Sequence, residues 1–122
     1  MEKSIPLPDL AEGEVNAGLI FNDDGTPSHW AILLPQKPEK KLNHTDAIAF
    51  GTTVEGELPT RQELFLLAAN CKKHFEPDWY WSNEKHASAS DYAWYQTFSD
   101  GYQGCITTTN ELRARLVRRF VI

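Results

Sequence analysis

The hydrophobic period of this chain changes at Glu76-Pro77-Asp78, and no other feature constrains the fold as strongly. Upstream, Leu64, Leu67, Ala68 and Cys71 recur at three- and four-residue steps, the spacing of one buried helix stripe. Thr60 and Glu63 stand before that stripe as a capping box, in which hydroxyl and carboxylate satisfy the orphan amides of a helix start. Lys72, Lys73 and His74 suit the negative end of a helix dipole, so a helix is predicted from Arg61 to about His74. Downstream the period is two. Trp79–Asn83 and Tyr92–Phe98 read as strands, residues 83–91 as a polar loop between them, and Ser99-Asp100-Gly101 as a turn.

The first half adds a second pair of strands. Ala17–Phe21 and His29–Leu34 flank Asn22-Asp23-Asp24-Gly25-Thr26-Pro27, and Asp-Gly between such runs signals a hairpin. Pro35 and Pro38 end its second strand, and residues 36–41 form a solvated loop. Ala47, Ile48 and Phe50 fit a short helix capped near Asn43 or Thr45. Residues 1–14, rich in proline and acid, are expected to be a loosely held arm. The tail from Glu111 to Ile122 fits two patterns. Leu112, Leu116 and Arg119 have helical spacing, which pattern alone slightly favours, whereas Leu112, Ala114 and Leu116 alternate as in a strand.

At 122 residues the chain is sized for one domain, residues 1–122, because two separate cores would each be too small. Its net charge of −5 argues against nonspecific binding to nucleic acid or to an acidic membrane. No apolar run reaches the length of a membrane span, and the N-terminus has no basic region followed by an apolar run. Synthesis in the cytosol is expected, with later association with a virion left open. Cys71 and Cys105 are too few for a disulfide framework and are expected to be reduced thiols.

Several second-half motifs occur in a fixed order. They are Leu58-Pro59-Thr60 with Glu63, Tyr80-Trp81-Ser82, Tyr92-Ala93-Trp94 through Phe98 and Gly101, and Arg115-Leu116-Val117-Arg118. This set, spread over residues 57–120, resembles a bacterial and phage domain-of-unknown-function family typified by the C-terminal domain of the Legionella collagen-like protein. The whole chain, hairpin included, looks most like its phage and prophage branch. The resemblance implies a C-type-lectin-like α+β fold, with two helices packed on small antiparallel sheets. It also implies binding rather than catalysis, and makes the tail a closing strand. The stretch from Gln103 to Asn110 departs from the family's usual spacing.

Trp79–Gly104 holds three of the four tryptophans and all four tyrosines. Strand alternation places Tyr92, Trp94, Gln96 and Phe98 on one face and Ala93, Tyr95, Thr97 and Ser99 on the other. The family motif makes Trp94 and Phe98 structural, so the first face is expected to be core, together with Trp81. That leaves Tyr80, Tyr95 and Tyr102 among serines and asparagines, the mixture that recognition surfaces use. Asn83, His86, Tyr95, Thr97, Ser99 and Tyr102 are the candidate binding residues. The competing reading is that the tyrosines cover sheet edges.

Other chemistry finds less support. Glu76-Pro77-Asp78 and Trp81-Ser82-Asn83 resemble calcium-site motifs of sugar-binding C-type lectins, but they stand too close together, and a helix-to-strand connector is the better reading. His29, His44, His74 and His86 lack zinc spacing and read as surface or capping residues. Arg113, Arg115, Arg118 and Arg119 make either an anion patch or the basic face of a closing strand. No cofactor is expected, and no metal. The leading expectation is a noncatalytic, phage-encoded recognition module for a protein or glycan, with a host-derived ligand and homo-oligomers both left open. The alternative is a phage accessory protein that inhibits a host factor of defence or surface assembly by direct binding.

Overall fold

The computed structural model describes residues 5–122. In chain order the elements are β1 (Val15–Phe21), β2 (Pro27–Leu33), α1 (His44–Thr53), α2 (Arg61–Asn70), a 3-10 turn (Lys72–His74), β3 (Trp79–His86), β4 (Ala89–Thr97), β5 (Gln103–Thr107) and β6 (Val117–Val121). They form an α+β structure of two helices and two antiparallel three-stranded sheets, ordered β1-β2-β6 and β3-β4-β5. The predicted hairpin is β1–β2. Gly25 takes a φ of +86° in its turn, a conformation open to glycine at no steric cost. The tail is extended, and β6 pairs with β2 from His29↔Val121 to Leu33↔Val117.

Several expectations are corrected. The helix of the capping box ends at Asn70, and Lys72–His74 form the separate 3-10 turn. The Asn70 amide donates to the carbonyl of Ala17 at 2.5 Å, tying the helix end to β1. The polar residues 83–91 are not a loop, because β3 and β4 run through them to a tight turn at Ala87-Ser88. Gln103–Thr107, where no strand was foreseen, pairs with β4 from Gln96↔Gln103 to Tyr92↔Thr107. Within the predicted arm, residues 1–4 lie outside the described residues and the rest is anchored. The Trp30 indole donates to the Pro6 carbonyl at 2.7 Å, and Arg118 grips Glu14 and the carbonyl of Asp9.

Two apolar clusters hold these layers together. One joins Ala17, Ile20, Ala31, Leu33 and Val117 of the first sheet to Leu64, Leu67 and Cys71, with Tyr80 from the second sheet and Phe98 just past the end of β4. The other gathers Ala47, Leu58, Trp81, Ala93, Tyr95, Leu112, Ala114 and Leu116. Close approach also demands glycine at Gly51 of α1, where a Cβ would stand 2.8 Å from the Gly56 carbonyl oxygen.

The capping box is present and does more than cap. Glu63 has no exposed surface. Its Oε1 accepts from the Thr60 amide at 2.9 Å and from Arg119 Nη2 at 2.8 Å. Its Oε2 accepts from Arg119 Nε at 2.8 Å and lies 2.7 Å from His29 Nε2. Burial alone would raise this carboxyl's pKa, but the Arg119 guanidinium, the Thr60 amide and His29 together hold it below the ordinary value. Three of the four C-terminal arginines are therefore neutralised by carboxylates rather than presented together as an anion patch or a basic face. Arg118 pairs with Glu14, Arg119 with Glu57 and Glu63, and Arg113 with Asp78.

Candidate functional site

The second sheet is covered on both faces, which overturns the predicted division of β4. Trp81 opposes Tyr95, and both pack with Ala93 and Ala47 on one face. The Trp81 indole donates to the Leu42 carbonyl at 2.8 Å, and His44 meets its ring edge-on at 5.0 Å. On the other face, the Gln96 amide donates to the Leu64 carbonyl at 3.1 Å and accepts from Gln103 Nε2 at 2.7 Å. Phe98 lies beside Gln96, stacked on Phe75 at 4.1 Å. Trp81 and Phe98 are thus buried as expected. Trp94, expected in the core, is partly exposed under the Arg61 guanidinium, 3.4 Å from its ring centroid. Tyr95 and Thr97, expected outside, are each only 7% exposed.

Tyr95 is nevertheless the base of an aromatic group that reaches the surface beside Ser99. Trp79 stacks on it at 4.4 Å with the rings 8° from parallel, and Tyr102 leans on it at 6.4 Å. The two outer rings stay open, Trp79 at 38% and Tyr102 at 60%. Gly104, opposite Tyr95 on β5, makes the room. A Cβ there would lie 2.9 Å from the Tyr102 ring and 3.0 Å from the Tyr95 hydroxyl.

The turn before Tyr102 is held by Asp100. Its carboxylate accepts from the Thr97 hydroxyl and, at 3.1 Å, from the Tyr102 amide. Those two hydrogen bonds, the hydroxyl's first, lower the Asp100 pKa. Gly101 takes a φ of +82° in the same turn, and exposed Ser99 completes the rim. On the other side of Trp79, Asp78 accepts from the Trp79 amide at 2.8 Å while Arg113 and Lys41 hold its second oxygen at 2.8 and 3.2 Å. Glu76-Pro77-Asp78 is therefore a connector whose carboxylate is already engaged.

The six candidate residues accordingly divide. Tyr102 and Ser99 lie on the platform, Tyr95 supports it from below, and Thr97 is buried with its hydroxyl committed to Asp100. His86 lies elsewhere, stacked at 6.2 Å on Trp94 of the opposite face. Asn83 is exposed where β3 bulges, and its backbone N–H donates to the Pro59 carbonyl beside the start of α2. Tyr80 is buried, with its hydroxyl accepting from the Glu76 amide at 2.9 Å. Trp79 was missed as a surface residue. The signal was present, because Trp79 and Trp81 alternate onto the face of Tyr95.

Two histidines also depart from expectation. His44 is 1% exposed and its Nε2 lies 2.8 Å from the Ser82 carbonyl. Burial pulls its pKa down, which keeps the ring neutral against Trp81. His29 belongs to the Glu63 cluster. Cys71 and Cys105 are free thiols, and burial raises the pKa of both, which disfavours the thiolate form. Among the described residues no helix is long and apolar enough to cross a membrane. No protein-family model matches the chain, and no curated protein matches it.

Proposed function

We propose that the protein is a noncatalytic recognition module of C-type-lectin-like fold, from the phage and prophage branch of the family its motifs resemble. It binds a protein or glycan through the Trp79–Tyr95–Tyr102 platform. The carrying observation is the pair of open rings, Trp79 and Tyr102, braced on a buried tyrosine and rimmed by Ser99 and Asp100. Rings already fixed in place lose little entropy on binding, and their flat faces suit the apolar side of a sugar or a partner's side chain. Asp78, Asp100 and Thr97 are engaged in holding the segments that carry the two rings, which keeps the platform in place for a ligand.

The test is a glycan array together with a pull-down from host lysate, followed by titration of the ligand found. Tyr102→Ala and Trp79→Ala should each weaken binding by roughly thirtyfold, the cost of about 2 kcal/mol at an interface centre. Both variants should keep the wild-type circular dichroism. Folded variants that bind as tightly as wild type would move the recognition face elsewhere.

A further inference from the structure

A different part of the molecule carries an unbalanced buried charge. Arg115 is 7% exposed. Its Nη1 donates to the His74 carbonyl at 2.5 Å and its Nη2 to the Leu34 carbonyl at 3.0 Å. Its Nε has no partner, and among the described residues no carboxylate lies within 4.0 Å of the guanidinium. The face of Phe75, 5.4 Å away, supplies the remaining compensation. A buried cation without a counter-charge is costly, and Arg118 and Arg119 nearby in sequence both have carboxylate partners.

Arg115 lines two adjoining clefts of about 350 and 320 Å³, at the lower end of small-ligand sites. In the first, Lys37 and Lys40 join it against Glu39 and Glu76, and Arg113, which also lines it, is already paired with Asp78. In the second, Lys37 and Lys73 join it against Glu76 alone. Lys37, Lys40 and Lys73 are exposed and, among the described residues, none has a carboxylate within ion-pair distance. This excess of cations stands on a chain whose net charge is −5.

We propose that these clefts bind a phosphate group, either as the free anion or as the monoester of a small molecule. A phosphate monoester brings nearly two negative charges and three strong acceptor oxygens, which suits a cleft lined by several cations better than a single carboxylate does. Lysine ammonium groups serve as point charges for it, and Arg115 adds a fixed field from beneath. This site is separate from the aromatic platform, and its failure would leave the platform reading untouched.

The experiment is an amide chemical-shift titration of the whole chain at low ionic strength, in a buffer free of phosphate. Inorganic phosphate, glycerol 3-phosphate and, as neutral control, glycerol are the probes. Saturable shifts at Lys37, His74 and Arg115 are expected with one or both anions, and none with glycerol. Tighter binding of glycerol 3-phosphate assigns a monoester site, and equal binding assigns the free anion. The double variant Lys37→Gln, Lys73→Gln, which alters only exposed side chains, should weaken binding about tenfold. Shifts that do not saturate, that scatter over the surface, or that survive unchanged in the double variant would overturn the proposal.

Discussion

Replacing Glu63 by glutamine tests how the two halves of the fold are joined. The carboxylate takes four contacts, from Thr60, twice from Arg119, and from His29. Glutamine has the same shape but only one acceptor oxygen, and its amide would face Arg119 Nε and the His29 ring. Arg119 would keep only Glu57, which is 70% exposed, as a charged partner. Removing one member of a buried pair costs about 3–5 kcal/mol. For a chain of 122 residues each kcal/mol moves Tm by roughly 4 °C, so Glu63→Gln should melt about 12–20 °C lower. The difference should also depend on acid. The folded protein holds the Glu63 pKa below its ordinary value, so its stabilisation is present above that ordinary value and is lost as pH falls through the lower, folded one. The gap between wild type and variant should be constant near neutrality and close in strong acid. A variant melting within about 3 °C of wild type at pH 7 would show that the network contributes little to stability.

Gly51→Ala would push a methyl group against the Gly56 carbonyl at 2.8 Å and should cost about 1–3 kcal/mol by thermal melting. An unchanged Tm would mean that the turn after α1 yields. Trp94→Ala should cost only about 1–2 kcal/mol, since the ring is partly exposed and packs on Arg61. Trp81→Ala, in the core, should cost about 3–5 kcal/mol, and equal losses in the two would contradict this ranking. Thiol labelling should modify Cys105 before Cys71, which has no exposed surface, and denatured protein under nonreducing conditions should yield both thiols.

Local chemistry was legible in the sequence, whereas arrangement across the chain was not. The turn at Asp24-Gly25, the cap at Asn43 and the box of Thr60 and Glu63 each depend on neighbours a few residues away, and all three are present. Strand β4 misled because alternation assumes one wet face. Here one side carries Ala93 and Tyr95 against α1 and the tail, and the other carries Gln96 and Phe98 against α2 and Phe75. Gln96, a polar residue on the face expected to be core, is buried there because its amide donates to a carbonyl 32 positions away. Strand β5 lacks an apolar pattern of its own and exists through its pairing with β4. The platform was half visible, since Tyr102 and Ser99 were identified from composition and Trp79 was not. The arginine-rich tail looked basic because its partners Glu14, Glu57, Glu63 and Asp78 lie far away in sequence.

The pairing of β6 with β2 sets the order in which this chain can complete itself during synthesis. β2 lies between β1 and β6, so its second edge stays unpaired until Val117–Val121 have been made. The helix-capping carboxylate waits for the same segment, because Arg119 stands 56 residues beyond Glu63. A nascent chain ending before Val117 therefore exposes a strand edge, Pro27–Leu33, and a carboxylate not yet paired with Arg119. That intermediate has the features that recruit chaperones or aggregate, and contacts so distant in sequence close slowly. Folding of this sheet should thus complete only once Val117–Val121 are available, and stop codons before Val117 should yield insoluble protein.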